Sequence, residues 1–115
     1  MSSSHWINEL PIAATVCDRD GIILEMNQKS ISTFELDGGA ALVGTNVLDC
    51  HPEPARSKLV EMLETHEKNV YTIEKNGRKK LIYQMPWFED EQYMGFVELS
   101  MEIPFEMPHF VRGNT

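Results

Sequence analysis

The sequence predicts an α+β domain built on antiparallel strands. Two tight-turn signals, at residues 18–21 and at Asn76-Gly77, each join strand-like runs. Between them lies one amphipathic stripe, in which Ala55, Leu59, Met62, Leu63 and His66 recur at helical spacing.

The elements follow in order. Residues 2–10 read as a short lead of one or two helical turns, ended by Pro11. Residues 12–17 are apolar and β-branched enough for a strand. Asp18-Arg19-Asp20-Gly21 is a turn, Asp offering a local acceptor and Gly a positive φ. In residues 22–26, Ile22, Leu24 and Met26 share one face, with Ile23 and Glu25 on the other, so the first two strands form a hairpin. Asn27 caps a short helix over residues 28–34 that turns Ile31 and Phe34 to the core. Asp37-Gly38-Gly39 breaks that helix, and residues 42–48 read as a turn and a short helix.

The main helix opens at Cys50-His51-Pro52-Glu53-Pro54 and runs to about Glu67. Proline is tolerated there because a first-turn N–H has no partner to lose. Three strands close the domain, over residues 70–75, 78–88 and 93–103. The second carries Leu81, Tyr83, Met85 and Trp87 on one face, and the third carries Val97, Leu99 and Met101 on its inner face. Pro86 marks an edge, a bulge or a kink, and Glu89-Asp90-Glu91-Gln92 is a charged turn. The expected core is Val16, Leu24, Ile31, Phe34, Leu59, Leu63, Ile73, Leu81, Val97 and Leu99.

Composition excludes more than it assigns. The 115 residues fit one compact domain. With 10 Lys plus Arg against 18 Asp plus Glu, the net charge of -8 speaks against a nucleic-acid partner and against a polybasic membrane surface. No apolar run nears the roughly 20 residues of a membrane span. Residues 1–6 show no basic stretch before an apolar one, so no secretory signal is expected. Cys17 and Cys50 form no CxxC pair, which points to a reducing cytoplasm. Nothing resembles a nucleophile with its base, a phosphate loop or a hydrolase metal pattern, so no enzyme is expected.

Taken in order, the pieces resemble a PAS domain. The likeness rests on the Cys17-Asp18-Arg19-Asp20-Gly21-Ile22-Ile23 hairpin, Met26-Asn27 entering a helix, Leu42-Val43-Gly44-Thr45-Asn46, His51-Pro52-Glu53 entering the long helix, and the three closing strands. It covers residues 9–103. The resemblance implies a five-stranded antiparallel sheet in spatial order 2-1-5-4-3, with helices on one face. It divides the chain into an N-terminal lead (1–10), a PAS domain (11–103) and a C-terminal tail (104–115). It also implies a cytoplasmic sensory module that holds a small ligand, or nothing, between sheet and long helix. Such a module signals to a separate protein and commonly forms a homodimer. Trp6, Ile7, Phe88, Phe96 and Phe105 are the apolar side chains expected to meet a second copy.

Within that family, His-Pro-Glu at the start of the long helix resembles the haem-binding gas sensors, where this histidine is an axial iron ligand. On that reading His51 is the metal ligand and the haem walls are Leu59, Met62, Leu63, Tyr83, Met85, Val97, Leu99 and Met101, with His66 or a methionine in the sixth position. On the other reading His51 merely starts the helix, and the chain is a ligand-free interaction and dimerisation module. His66 likewise reads as a distal ligand or as a cation at the helix C-terminus. Val47 follows Gly44-Thr45-Asn46 where flavin photosensors carry cysteine, so no thiol adduct is expected from Cys50. Cys17, Cys50, His51 and His66 lack zinc-ligand spacing. Arg78-Lys79-Lys80 is a basic edge that discourages strand pairing.

Overall fold

The structure, a computed structural model, describes residues 5–113; the side chain of Cys50 lies outside the described set. After a single-turn helix α1 (His5–Asn8) come β1 (Ala13–Asp18), β2 (Ile23–Met26) and α2 (Gln28–Thr33). Three 3-10 turns lead to α3 (Ala55–Thr65), and β3 (Asn69–Lys75), β4 (Arg78–Glu89) and β5 (Gln92–Ile103) complete the chain. All pairings are antiparallel and the order is β2-β1-β5-β4-β3. This is the sheet the resemblance implies.

The turn chemistry works as the residues dictate. Asp18 Oδ1 accepts the N–H groups of Asp20 and Ile22, both at 2.9 Å, and Gly21 takes φ +86°. Asn76 and Gly77 both have positive φ in the β3–β4 hairpin, and so do Asp90 and Glu91 in the β4–β5 hairpin. Asn27 does more than cap α2. Its Oδ1 accepts from Ser30 N (3.0 Å) and Ala14 N (2.9 Å), and its Nδ2 donates to the carbonyls of Ile7 (2.9 Å) and Ile12 (2.8 Å). One buried amide thereby ties lead, first strand and first helix together.

Several expectations are corrected: Phe96, expected to meet a second copy, is buried in the core, Val16 is only half-buried, and α3 is shorter at both ends than expected. In β2 the alternation breaks: Val16 pairs with Glu25 but Cys17 pairs with Ile23, leaving Leu24 as an extra residue. This bulge turns both Ile23 and Met26 into the core and leaves Leu24 exposed. The larger correction concerns the closing strands. Their register aligns Thr15 with Glu98, Cys17 with Phe96, Gln84 with Glu98 and Ile82 with Ser100. Thr15, Cys17, Gln84, Phe96 and Glu98 share cavities with His51 and Leu59, so this set faces the helices. Leu81, Tyr83, Met85, Trp87, Val97, Leu99 and Met101 alternate with it and occupy the opposite face. They are half-buried there rather than core.

The core therefore sits between α3 and the helix-side face, with Cys17, Ile23, Met26, Val47, Leu59, Met62 and Phe96 buried. Ile31, Phe34 and Leu63 pack against it, as expected of them. Ile73 is exposed, because β3 is the edge strand. At Gly95 a Cβ would lie 2.0 Å from the carbonyl oxygen of Cys17, so only glycine lets β5 approach β1 there.

Candidate functional site

The candidate site lies between α3 and the helix-side face of the sheet, around His51. A 3-10 turn (Val47–Cys50) delivers His51 in extended conformation just ahead of α3. Its Nδ1 lies 2.8 Å from the Val47 carbonyl. Because a carbonyl only accepts, Nδ1 carries the proton and Nε2 is left for other partners. The start of α3 is pinned on both sides. The Glu53 carboxylate accepts from the Ser57 N–H at 2.7 Å and from its hydroxyl at 2.5 Å, which holds its pKa below the ordinary carboxylate value. Arg56 donates to the Leu48 carbonyl at 2.8 Å.

His51 lines three spaces. One is a groove of about 350 Å³ between α3 and β3–β4, shared with Pro54, Ala55, Lys58, Leu59, Asn69, Tyr71 and Gln84. The other two lie inward, at about 40 Å³ toward Met26 and Phe34 and about 10 Å³ toward Cys17 and Phe96. The sheet wall of this region is polar. Asn69 Nδ2 donates to Gln84 Oε1 (2.9 Å), and Gln84 Nε2 donates to Glu98 Oε1 (2.7 Å), a chain that runs across β3, β4 and β5. The Thr15 and Ser30 hydroxyls bond each other at 2.5 Å beside it.

Charge in this layer has visible effects. Burial first, then the charges of Glu98 and Asp18, push the Cys17 thiol up to about 12. Burial, followed by Glu98, also raises the Tyr71 phenol. A thiol so hard to ionise is a packing group, not a nucleophile.

Of the residues assigned to a haem pocket, the structure brings His51, Leu59, Met62 and Leu63 to the helix side. Tyr83, Met85, Val97, Leu99 and Met101 lie on the opposite face, which corrects their assignment to the inner wall. His66 caps α3 in a left-handed conformation (φ 61°), its N–H bonded to the Met62 carbonyl. Its ring stacks on Tyr93 with centroids 3.5 Å apart. Among the described residues no cluster of three His, Cys, Asp or Glu side chains is arranged to hold a metal ion. Gln84, Glu98, Lys58 and Tyr71 belong to the site and were not expected from the sequence. The available signal was a Gln and a Glu interrupting two apolar strands at positions that pair directly, Gln84 with Glu98.

No protein-family model matches the sequence, and no curated protein matches it. Solved structures do. A C-terminal domain from Streptococcus mutans has a TM-score of 0.69 at 20% identity, covering 87% of this chain and 81% of that one. The PAS domain of BvgS from Bordetella pertussis has a TM-score of 0.68 at 17% identity, covering 90% and 85%. The Aer2 receptor from Vibrio cholerae, described as a dual PAS-haem oxygen sensor, has a TM-score of 0.59 at 19% identity, covering 81% and 95%. The chain has the PAS fold.

Proposed function

We propose that this PAS-fold chain is the sensory module of a signal-transduction system, in which a small ligand between α3 and the sheet alters contact with a separate protein. The observation that carries the reading is the place of His51, which lines both the groove and the smaller spaces toward the core. A ligand in the groove thus touches a residue that also packs on the core. The Aer2 oxygen sensor among its structural neighbours supports the same reading. The proposal includes a non-enzymatic role, a cytoplasmic setting and a homodimer that meets through the apolar face of the sheet. Among the described residues no helix is long and apolar enough to cross a membrane.

Haem is the ligand that His51 brings to mind. The donor fits: a ring with Nδ1 on a carbonyl offers Nε2 as metal ligands commonly do. The surroundings do not. The inner spaces of about 40 and 10 Å³ fall far below the ~300–1,000 Å³ of ordinary ligand sites, and the groove of about 350 Å³ lies at the lower end of that range. Gln84 and Glu98 stand where an apolar wall is needed, and most of the apolar wall first assigned to haem faces away. We therefore assign the groove to an occupant smaller than a porphyrin. Titration of purified protein with hemin, beside His51→Ala, tests this. Neither protein should give a saturable Soret shift. A saturable shift in the wild type that His51→Ala abolishes would replace the small-ligand reading with haem.

A further inference from the structure

The groove between α3 and β3–β4 has a chemical polarity along it. Pro54, Ala55 and Leu59 give it an apolar wall. Lys58 and Tyr71 give it two uncommitted donors. Lys58 is half-buried and pairs with no carboxylate among the described residues, and the Tyr71 hydroxyl has no hydrogen-bond partner there. In a chain of net charge -8, an ammonium without a counter-charge is not explained by a shortage of acids. Among the described residues no Asp or Glu lines this groove. Glu98 is bonded to Gln84, and burial first, then the Glu98 charge, raises the Tyr71 phenol and keeps it a donor. Partial desolvation of a lone ammonium is unfavourable until an anion supplies the missing partner.

His51 contributes the opposite chemistry. With Nδ1 donating to Val47, Nε2 is the ring nitrogen left to accept a hydrogen bond. Asn69 and Gln84 are already engaged with each other through the Asn69 amide N–H. The functions the groove offers thus include a cation and a phenol as donors, an imidazole nitrogen and the Asn69 Oδ1 as acceptors, and an apolar wall.

We propose that the groove binds a small organic acid: its carboxylate on Lys58 and Tyr71, its apolar body on Pro54, Ala55 and Leu59, and a hydroxyl or N–H donated to His51 Nε2. This names a ligand class for the site and rests on the sensory reading above. The space of about 350 Å³ is at the lower end of small-molecule sites, which suits a single ring or a short chain.

The test uses two probes that share the phenol and differ in the group opposite it, the carboxylate of 4-hydroxybenzoate against the uncharged hydroxymethyl of 4-hydroxybenzyl alcohol, followed by backbone amide resonances of the whole chain. The acid should bind saturably, shifting residues 51–59, 69–71 and 84, and the alcohol should bind roughly tenfold more weakly, the size of one charge-assisted hydrogen bond. Lys58→Gln should bring the acid down to the level of the alcohol and leave the alcohol unchanged. His51→Ala should weaken both probes alike, because both carry the phenolic hydroxyl. Equal binding of acid and alcohol in the groove, or unchanged acid binding by Lys58→Gln, overturns the organic-acid class while leaving a ligand-binding groove in place. Absence of any groove shift with either probe overturns the class and counts against the sensory pocket as well. Amide dispersion in each spectrum shows whether a variant has kept its fold.

Discussion

The two faces of the sheet invert the usual division of labour. The face that the helices cover carries Thr15, Gln84, Glu98 and Ser100 among its residues, while the other presents Leu81, Tyr83, Met85, Val97, Leu99 and Met101. Small side chains explain part of this. Ala13, Thr15 and Ser30 leave room for α2 to approach β1, and the Thr15 and Ser30 hydroxyls bond each other. The polar ladder from Asn69 to Glu98 is likewise bonded link by link, so its burial leaves few groups unsatisfied. The apolar face is only partly covered. Near its β1–β2 end, α1 shares a cavity of about 340 Å³ with Ala14 and Val16. Covering by helices and hydrophobicity are therefore separate properties of this sheet, and only the second is written in its composition.

The largest expected effect lies on the covered side. Leu59 is 2% exposed and touches both the core cluster and the groove. Leu59→Ala should cost about 2–5 kcal/mol, measured by urea unfolding. The half-buried Leu63 should cost less when cut to alanine, although its helical spacing alone ranks the two as equals. A cost below about 1 kcal/mol at Leu59 would mean that the inner layer is not the stabilising one.

That ranking shows what was legible in the chain. Tight turns were legible because they need unusual backbone angles that Asp, Asn and Gly announce, and the strand limits fall within a residue or so of the residues between those turns. Alternation also sorted each closing strand into its two sets. It could not say which set faces the helices, because a period of two carries no sign. Choosing the more apolar set put Tyr83, Met85, Val97, Leu99 and Met101 on the wrong side. In β2 one extra residue, Leu24, broke the period itself. His51 was legible through its neighbours Pro52 and Glu53. Its companions were not, since Lys58, Tyr71, Gln84 and Glu98 meet only through strand register and helix placement.

A second, smaller effect on the covered side comes from Cys17. The folded thiol is held at about 12, chiefly by burial, against an ordinary value of 9.0. Between those values the unfolded chain has released a proton that the folded chain keeps. Stability is unaffected by this group below pH 9 and falls as pH rises from there toward 12. The expected slope from one such group is about 1.4 kcal/mol per pH unit. Urea unfolding of wild type and Cys17→Ala between these limits reads it, together with the smaller part of the Tyr93 shift that the Cys17 charge adds to burial; the Tyr71 shift comes from burial and Glu98 and is common to both proteins. Parallel curves would mean that Cys17 is not shielded in solution. A steeper wild-type curve would confirm that the polar-lined layer excludes water.

The bare face should give the smallest effect on folding and the clearest effect on association. Leu99 is half-buried, so Leu99→Ala should cost roughly 1 kcal/mol in dilute protein, less than full burial of its side chain would give. The same side chains lie on β4 and β5 as a broad apolar surface, with Val70 of β3 48% exposed beside them. Monomers seldom leave such a surface open to water. The homodimer proposed here buries it, which places Met85, in the middle of β4, at the contact. Met85→Lys puts an ammonium there and should turn a dimer into a monomer in light scattering, with unfolding of the separated chains little changed. If wild type is already monomeric at high concentration, this face is not a contact between two copies. The half-burial that strand neighbours provide is then all the cover it has, and Leu99→Ala should cost the same at every protein concentration.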